Sequence, residues 1–293
     1  MKDRIFTLSD GRTLGYIEYG NSNGVPIFLL HGTPGSRIFG LENEPLIEEE
    51  KLRIITPERP GYGLSSPLKN RGISCYSNDI DELANYLEIP KFHVAGVSGG
   101  GPYALACASN LSSRVLSVTL IASATPMEME DYFKGMSIGN KFAFVMSKYF
   151  PWLLKPIYKY VASYYKKYPK KLFERLKPQL CEWDVKVIEV MKSKGQLKGF
   201  IEHIREAYRQ GSSAAYTDTL LVSRPWGINY SGITSPIFMW HGESDTLMPI
   251  YPAKKFSTVL PNCHTHFIEG AGHFLLESEE VGRSIVKTII SLR

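Results

Sequence analysis

The sequence predicts an α/β fold, a largely parallel sheet covered by helices on both faces, with one helical insertion. Three observations carry this. Short apolar runs of strand length alternate with amphipathic helical patterns up to residue 121; the alternation then stops for about a hundred residues; and it resumes at residue 236.

Taken in order, Ile5 to Leu8 and Thr13 to Tyr19 read as short strands, and Asp10-Gly11 between them signals a hairpin. The apolar run Pro26 to Leu30 is a third strand. Leu41 to Glu50 has helical spacing, Arg53 to Thr56 is a short strand, Cys75 to Leu87 an amphipathic helix and Phe92 to Val97 a strand. A small-residue helix from Gly100 to Ser109 and a strand from Val115 to Ile121 follow. In the insertion, lysine and aromatic residues abound. Helical segments are expected there around Phe142 to Phe150, Ile157 to Lys166, Val185 to Lys192, Ile201 to Tyr208 and Ala214 to Val222. The chain closes with a strand at Pro236 to Trp240, a helix at Pro252 to Val259, a strand at His264 to Ile268 and a helix at Leu275 to Ile290. The expected division is a core of residues 1–125 and 226–293 carrying a helical cap of residues 126–225.

Composition narrows the function classes. With 43% apolar and 22% charged residues and no long block of like charge, the chain reads as globular rather than disordered. The N-terminus lacks an apolar stretch of signal-peptide length, and no uncharged apolar window of about 18 residues occurs, so secretion and membrane spanning are not expected. Four scattered cysteines without a C-x-x-C pair suggest neither a zinc knuckle nor a disulfide frame, and point to a reducing, cytoplasmic setting. A net charge of +5 without a clustered stripe argues against a nucleic-acid partner. The charge is unevenly placed: residues 126–225 hold 18 basic and 10 acidic residues, a net of +8, and the remainder is −3. Oligomeric state leaves no signature in the sequence.

The chemistry concentrates in loops that follow strands. Gly96-Val97-Ser98-Gly99-Gly100 stands directly after one expected strand and before one expected helix. A serine on so sharp a turn has a strained backbone and projects Oγ above the sheet, while the flanking glycines let strand and helix approach closely. At a helix N-terminus, backbone N–H groups face any negative charge formed nearby, which makes the Gly99 N–H a candidate oxyanion donor. No dinucleotide or phosphate-loop glycine pattern is present. His31-Gly32-Thr33-Pro34-Gly35-Ser36 follows another strand, at the sheet edge where open α/β sheets bind ligands, and the Thr33 N–H is the candidate second donor. His31 itself is expected to hold its loop rather than act as a base.

A serine hydroxyl needs a base at neutral pH. Of seven histidines, His273 alone follows the last strand and precedes the last helix. His93 and His241 sit at strand ends, His203 on a cap helix, and His264 and His266 alternate along a strand without a third metal ligand nearby. The imidazole in turn needs a carboxylate to fix its tautomer, and Asp245, just beyond a strand, is preferred over Glu243 two residues away.

The motifs His31-Gly32-Thr33-Pro34-Gly35-Ser36, Arg59-Pro60-Gly61-Tyr62-Gly63-Leu64-Ser65, Gly96-Val97-Ser98-Gly99-Gly100, His241-Gly242-Glu243-Ser244-Asp245 and Gly272-His273-Phe274 resemble those of the α/β-hydrolase superfamily. The resemblance implies a mostly parallel eight-stranded sheet, a cap inserted after the sixth strand, catalysis by Ser98, Asp245 and His273, and no metal or organic cofactor. Glu58 departs from the pattern, since many relatives carry Asp there; that leaves the detailed geometry of the following turn open. Serine at position 98 disfavours the dehalogenase and epoxide-hydrolase branches, but haloperoxidases, aminopeptidases and carbon–carbon bond hydrolases share the triad, so family does not fix the reaction.

The expected activity is hydrolysis of a small or lipid-like carboxylic ester through an acyl-enzyme. The alternatives are an aminopeptidase of the proline-iminopeptidase type, which would draw on a cap acid such as Glu202, Glu206 or Asp218 to hold the substrate amine, and a non-catalytic receptor on the same scaffold. The cap holds 17 of the 35 aromatic residues. These form the cap's own small core with lysines as its solvated face, line a substrate pocket, or make weak contact with a membrane surface.

Overall fold

In a computed structural model, residues 2–40 and 44–291 are described. Eight strands, β1 (Lys2–Thr7), β2 (Thr13–Gly20), β3 (Val25–Leu30), β4 (Leu52–Pro57), β5 (Phe92–Val97), β6 (Val115–Ile121), β7 (Ile237–Gly242) and β8 (Cys263–Ile268), form one sheet in the order β1-β2-β4-β3-β5-β6-β7-β8. β1 and β2 make the hairpin signalled by Asp10-Gly11, pairing Phe6 with Leu14; β2 and β4 are also antiparallel, and the other pairs are parallel. Eight mostly parallel strands are what the resemblance implies.

Alternation along each strand feeds two cores. In β3, Ile27 and Leu29 pack on one face with α1 (Glu44–Glu49) and α11 (Glu279–Ile290), against Leu46, Ile47, Ile285 and Ile289. Phe28 and Leu30 pack on the other, with α2 (Tyr76–Tyr86), α3 (Gly101–Asn110) and α10 (Ile250–Ser257), against Leu83, Ala104 and Phe256. β3 lies between β4 and β5, and α1 and α2 run to opposite faces there. That reversal opens a crevice at the strands' carboxyl ends.

Between β6 and β7 come α4 (Ile138–Tyr149), α5 (Pro151–Lys167), α6 (Leu172–Leu176), α7 (Glu182–Ser193), α8 (Leu197–Ala207) and α9 (Ser213–Val222). Their apolar faces close over loops from the carboxyl edge: Ala162, Ile204 and Ala215 pack with Tyr62, and Val187, Ile188 and Met191 with Phe274.

Several element ends depart from expectation, α4 and α8 each beginning four residues before the expected start, and three departures have a local reason. α5 begins at Pro151 and runs through Pro156, whose missing N–H costs one bond near the helix start; the sequence pattern begins only after it. α11 begins at Glu279, not Leu275, because residues 275–277 form a turn and Leu275 is wholly buried beneath it. The short α6 carries too few residues to show a period. Of the helix expected at Leu41 to Glu50, residues 41–43 lie outside the described residues. Among the described residues no helix is long and apolar enough to cross a membrane.

Candidate active site

β5 enters fully buried and delivers Ser98 at φ 53°, the left-handed region that non-glycine residues seldom occupy. A Cβ at Gly96 would meet Gly100 O at 2.5 Å and Gly101 Cα at 2.8 Å, and one at Gly100 would collide with Leu30 O. The elbow therefore requires both glycines. Ser98 opens a single 3-10 turn that runs into α3, and its carbonyl accepts a bond from Ala124 N at 3.0 Å, tying the turn to the end of β6.

The loop after β3 closes on this elbow. A Cβ at Gly32 would lie 3.4 Å from Ser98 Cβ and 3.9 Å from its Oγ; one at Gly99 would lie 3.4 Å from Thr33 N and collide with Thr33 Oγ1. Thr33 and Gly99, the two candidate donors, thus face each other beside Ser98. Arg59 holds the loop in place. Its Nη2 donates to Gly32 O at 2.7 Å and Thr33 Oγ1 at 3.0 Å, Nη1 donates to His31 O, and Nε donates to Asp218 Oδ2 at 2.7 Å. His31 is buried; desolvation and the Arg59 charge push its pKa well below the ordinary value, so the ring is neutral. It donates from Nδ1 to Gly32 O at 2.8 Å and accepts Arg59 N–H at Nε2 at 3.3 Å, a loop-holding arrangement.

His273 Nδ1 donates to Asp245 Oδ2 at 2.7 Å. The Asp245 side chain is entirely buried, and its Oδ1 accepts Leu247 N and Met248 N at 2.8 Å each, so both carboxylate oxygens are used. Glu243 instead points outward and pairs with Lys254 Nζ at 2.8 Å. Burial pulls the His273 pKa down, but the Asp245 charge and hydrogen bond, followed by the charges of Asp184 and Glu277, lift it to about 9. His264 and His266 are occupied in ring stacking on β7, the second lying 4.1 Å from Trp240 at an interplanar angle of 10°.

One group, Asp184, has no signal in the sequence, and Asp218 takes a different role from the one expected. Asp184, in the first turn of α7, is wholly buried; its Oδ1 accepts His273 N at 2.7 Å and Phe274 N at 3.0 Å, and a Cβ at Gly272 would collide with both of its oxygens. An acid in a helix's first turn ordinarily serves the helix dipole, so nothing local marks it. Asp218, on α9, is not a free cap acid: besides Arg59 it binds Arg71, Tyr62 at 3.0 Å and Tyr103 at 2.8 Å. Glu58 is also resolved. Its longer side chain fits because Gly15 and Gly63 have none, and it accepts Leu64 N at 2.7 Å and Arg37 Nη1 at 2.8 Å.

Ser98, His273, Thr33 and Gly99 line one cavity of about 420 Å³, walled by Phe142, Phe144, Leu154, Ile157, Val161 and Ile204 among others. No lysine or arginine lines it, and Glu277 is its one acid among the described residues. Among the described residues no hydrogen bond joins Ser98 Oγ to His273, a contact that often forms only with substrate bound.

A family model described as the α/β-hydrolase fold matches residues 25–280. The chain belongs to the α/β-hydrolase fold family. It is 24% identical over 286 residues to the uncharacterized hydrolase YcgS of Bacillus subtilis, covering 97% of this chain and 96% of that one. Among solved structures it is similar to an esterase of Thermogutta terrifontis, with a TM-score of 0.66, 20% identity and coverage of 99% and 98%. It is equally similar to a bromoperoxidase of Bacillus anthracis, with a TM-score of 0.69, 18% identity and coverage of 99% and 100%. An esterase and a bromoperoxidase matched alike show a shared α/β-hydrolase fold and leave the reaction to be argued from the site.

Proposed function

We propose that this α/β-hydrolase is a serine esterase that cleaves a neutral, apolar-acyl carboxylic ester through an acyl-enzyme, with residues 126–225 as the cap over its pocket. The observation that carries the reading is that Ser98 and His273 line the same apolar cavity, with the buried Asp245 holding the imidazole from behind. In the first half-reaction Ser98 Oγ attacks the ester carbonyl carbon as His273 Nε2 takes the hydroxyl proton. The carbonyl oxygen becomes an oxyanion facing the N–H groups of Thr33 and Gly99, donors of a kind worth about 2.7–4 kcal/mol each. The ester C–O bond then breaks, and the alcohol leaves with the proton from His273. Water, deprotonated by the same nitrogen, attacks the acyl-enzyme, releases the acid and restores Ser98.

The cavity supports an apolar acyl group, since a cationic or anionic tail would shed its hydration there without a partner of opposite charge beyond Glu277. The aminopeptidase alternative loses its anchors. Asp218 is taken by Arg59 and Arg71, Glu206 by Arg37 and Arg209, and Glu202 by Arg205, and none of the three lines the cavity. Turnover of short- and medium-chain p-nitrophenyl esters beside aminoacyl p-nitroanilides tests the choice. Esters are expected to be the faster substrates, with Ser98→Ala and His273→Ala each slower by more than about a thousandfold. Faster anilide cleavage, or undiminished ester turnover in Ser98→Ala, would overturn it.

A further inference from the structure

Residues 132–173 hold nine lysines and no arginine, aspartate or glutamate, a local charge of +9 in a protein whose net charge is +5. The same segment gathers apolar surface. Nine of the fourteen large apolar side chains exposed among the described residues lie between Ile138 and Tyr168, with Ile138 at 88% and Trp152 at 68% exposure. Helical spacing puts the two properties on one face. Trp152, Lys155, Lys159, Tyr160, Lys166 and Lys167 recur along the exposed side of α5, while Leu154, Val161 and Ala162 turn inward; Phe150 and Tyr149 extend the exposed face at its start. Among the described residues only Lys134 of the nine lysines has an ion-pair partner, Asp131 at 3.8 Å.

We propose that this face of α4 and α5 docks on an anionic lipid bilayer. The lysines meet the charge of the headgroups, and indole, phenol and aliphatic side chains enter the boundary below them, the arrangement of a helix lying in the membrane plane. Lysines of the segment already ride on its ring faces, Lys141 on Phe133 at 5.9 Å, Lys148 on Tyr149 at 5.4 Å, and Lys167 and Lys171 on Tyr168 at 5.3 and 5.6 Å. A second copy of the chain is a poor occupant, because two faces of +9 repel. Nucleic acid is another, because the exposed aliphatic side chains Ile138, Leu153 and Ile157 meet an apolar layer beneath lipid headgroups and none along a phosphate backbone. Phe142 and Ile157 are exposed on this segment and also wall the Ser98 cavity, so the cavity mouth opens at the docking face. An apolar ester would pass from the bilayer into the cavity; that last step rests on the esterase reading, whereas docking does not.

The test is sedimentation of the full chain with phosphatidylcholine vesicles, with and without phosphatidylglycerol. Binding to the anionic vesicles is expected to exceed binding to the neutral ones by at least about tenfold. It should vanish near 1 M salt, where the screening length falls to about 3 Å. Phe150→Glu with Trp152→Glu, and separately Lys155→Glu with Lys159→Glu, should each cut binding by at least about tenfold while fluorophosphonate labelling in solution stays unchanged, which shows that the variants fold. Equal binding to both vesicles, no binding to either, or full binding by both variants would overturn the proposal, as would a dimer that the Phe150→Glu, Trp152→Glu variant splits in place of vesicle binding. Vesicle binding without labelling would count against the esterase reading and leave the docking intact.

Discussion

His273 sits under opposing influences. Burial strips its proton, and Asp245, Asp184 and Glu277 restore it, so its pKa lies at about 9 instead of 6.5. Because the folded value is the higher, protonated His273 stabilises the fold in full below pH 6.5, and that contribution is lost as pH rises through about 9. The neutral ring, the form that can take a proton, accumulates over the same interval, so ester kcat/KM should climb across it. Asp184 contributes charge and geometry separately. Asp184→Asn keeps an oxygen for His273 N and Phe274 N but removes the charge, and should move the acid limb of the pH profile down towards 6.5. Asp184→Ala leaves the part-buried His273 N–H and the buried Phe274 N–H unpaired, the second at about 1–3 kcal/mol, and should lower kcat as well. pH profiles of both variants decide the matter; an unmoved limb in Asp184→Asn would deny the residue its electrostatic role.

At the scale of elements, α9 fastens the insertion to the sheet through one carboxylate. Asp218 answers both Arg59 and Arg71 in a buried site, and Arg59 grips the backbone of His31 and Gly32. Asp218→Asn would leave two buried guanidiniums without a counter-charge and is expected to cost about 3–5 kcal/mol. Urea unfolding should show a lower midpoint at unchanged slope, and a midpoint equal to the parent's would contradict this. β5 and β6 lie at the very residues that their apolar runs mark, since a strand buried on both faces advertises itself locally. The same holds for the glycines around Ser98, whose crowding is set by adjacent chain. Asp184 and the Arg59–Asp218 pair were not legible, because their partners lie 89 and 159 residues away and no local pattern records so distant a pairing. Helix starts failed where tertiary demands prevail, as at Leu275, which turns inward so that the preceding loop can present His273 beside Asp245.

Across the whole molecule, the proposed chemistry and selectivity are divided between chain segments. Ser98 comes from the fragment before the insertion, Asp245 and His273 from the fragment after it, and the cavity walls largely from the helices between. The insertion also supplies Asp184 and Asp218, so it bears on the positioning of His273 and Thr33 as well as on what enters the pocket. Its basic, aromatic face leaves the rest of the molecule nearly neutral to slightly acidic, an asymmetry that, under the docking proposal, would turn the cavity mouth toward an anionic surface. All of this turns on one nucleophile. Reaction of the full chain with a fluorophosphonate, followed by mass spectrometry of its peptides, should find a single adduct on Ser98, absent in Ser98→Ala and slowed in His273→Ala; an adduct elsewhere, or equal labelling of Ser98→Ala, would contradict the assignment.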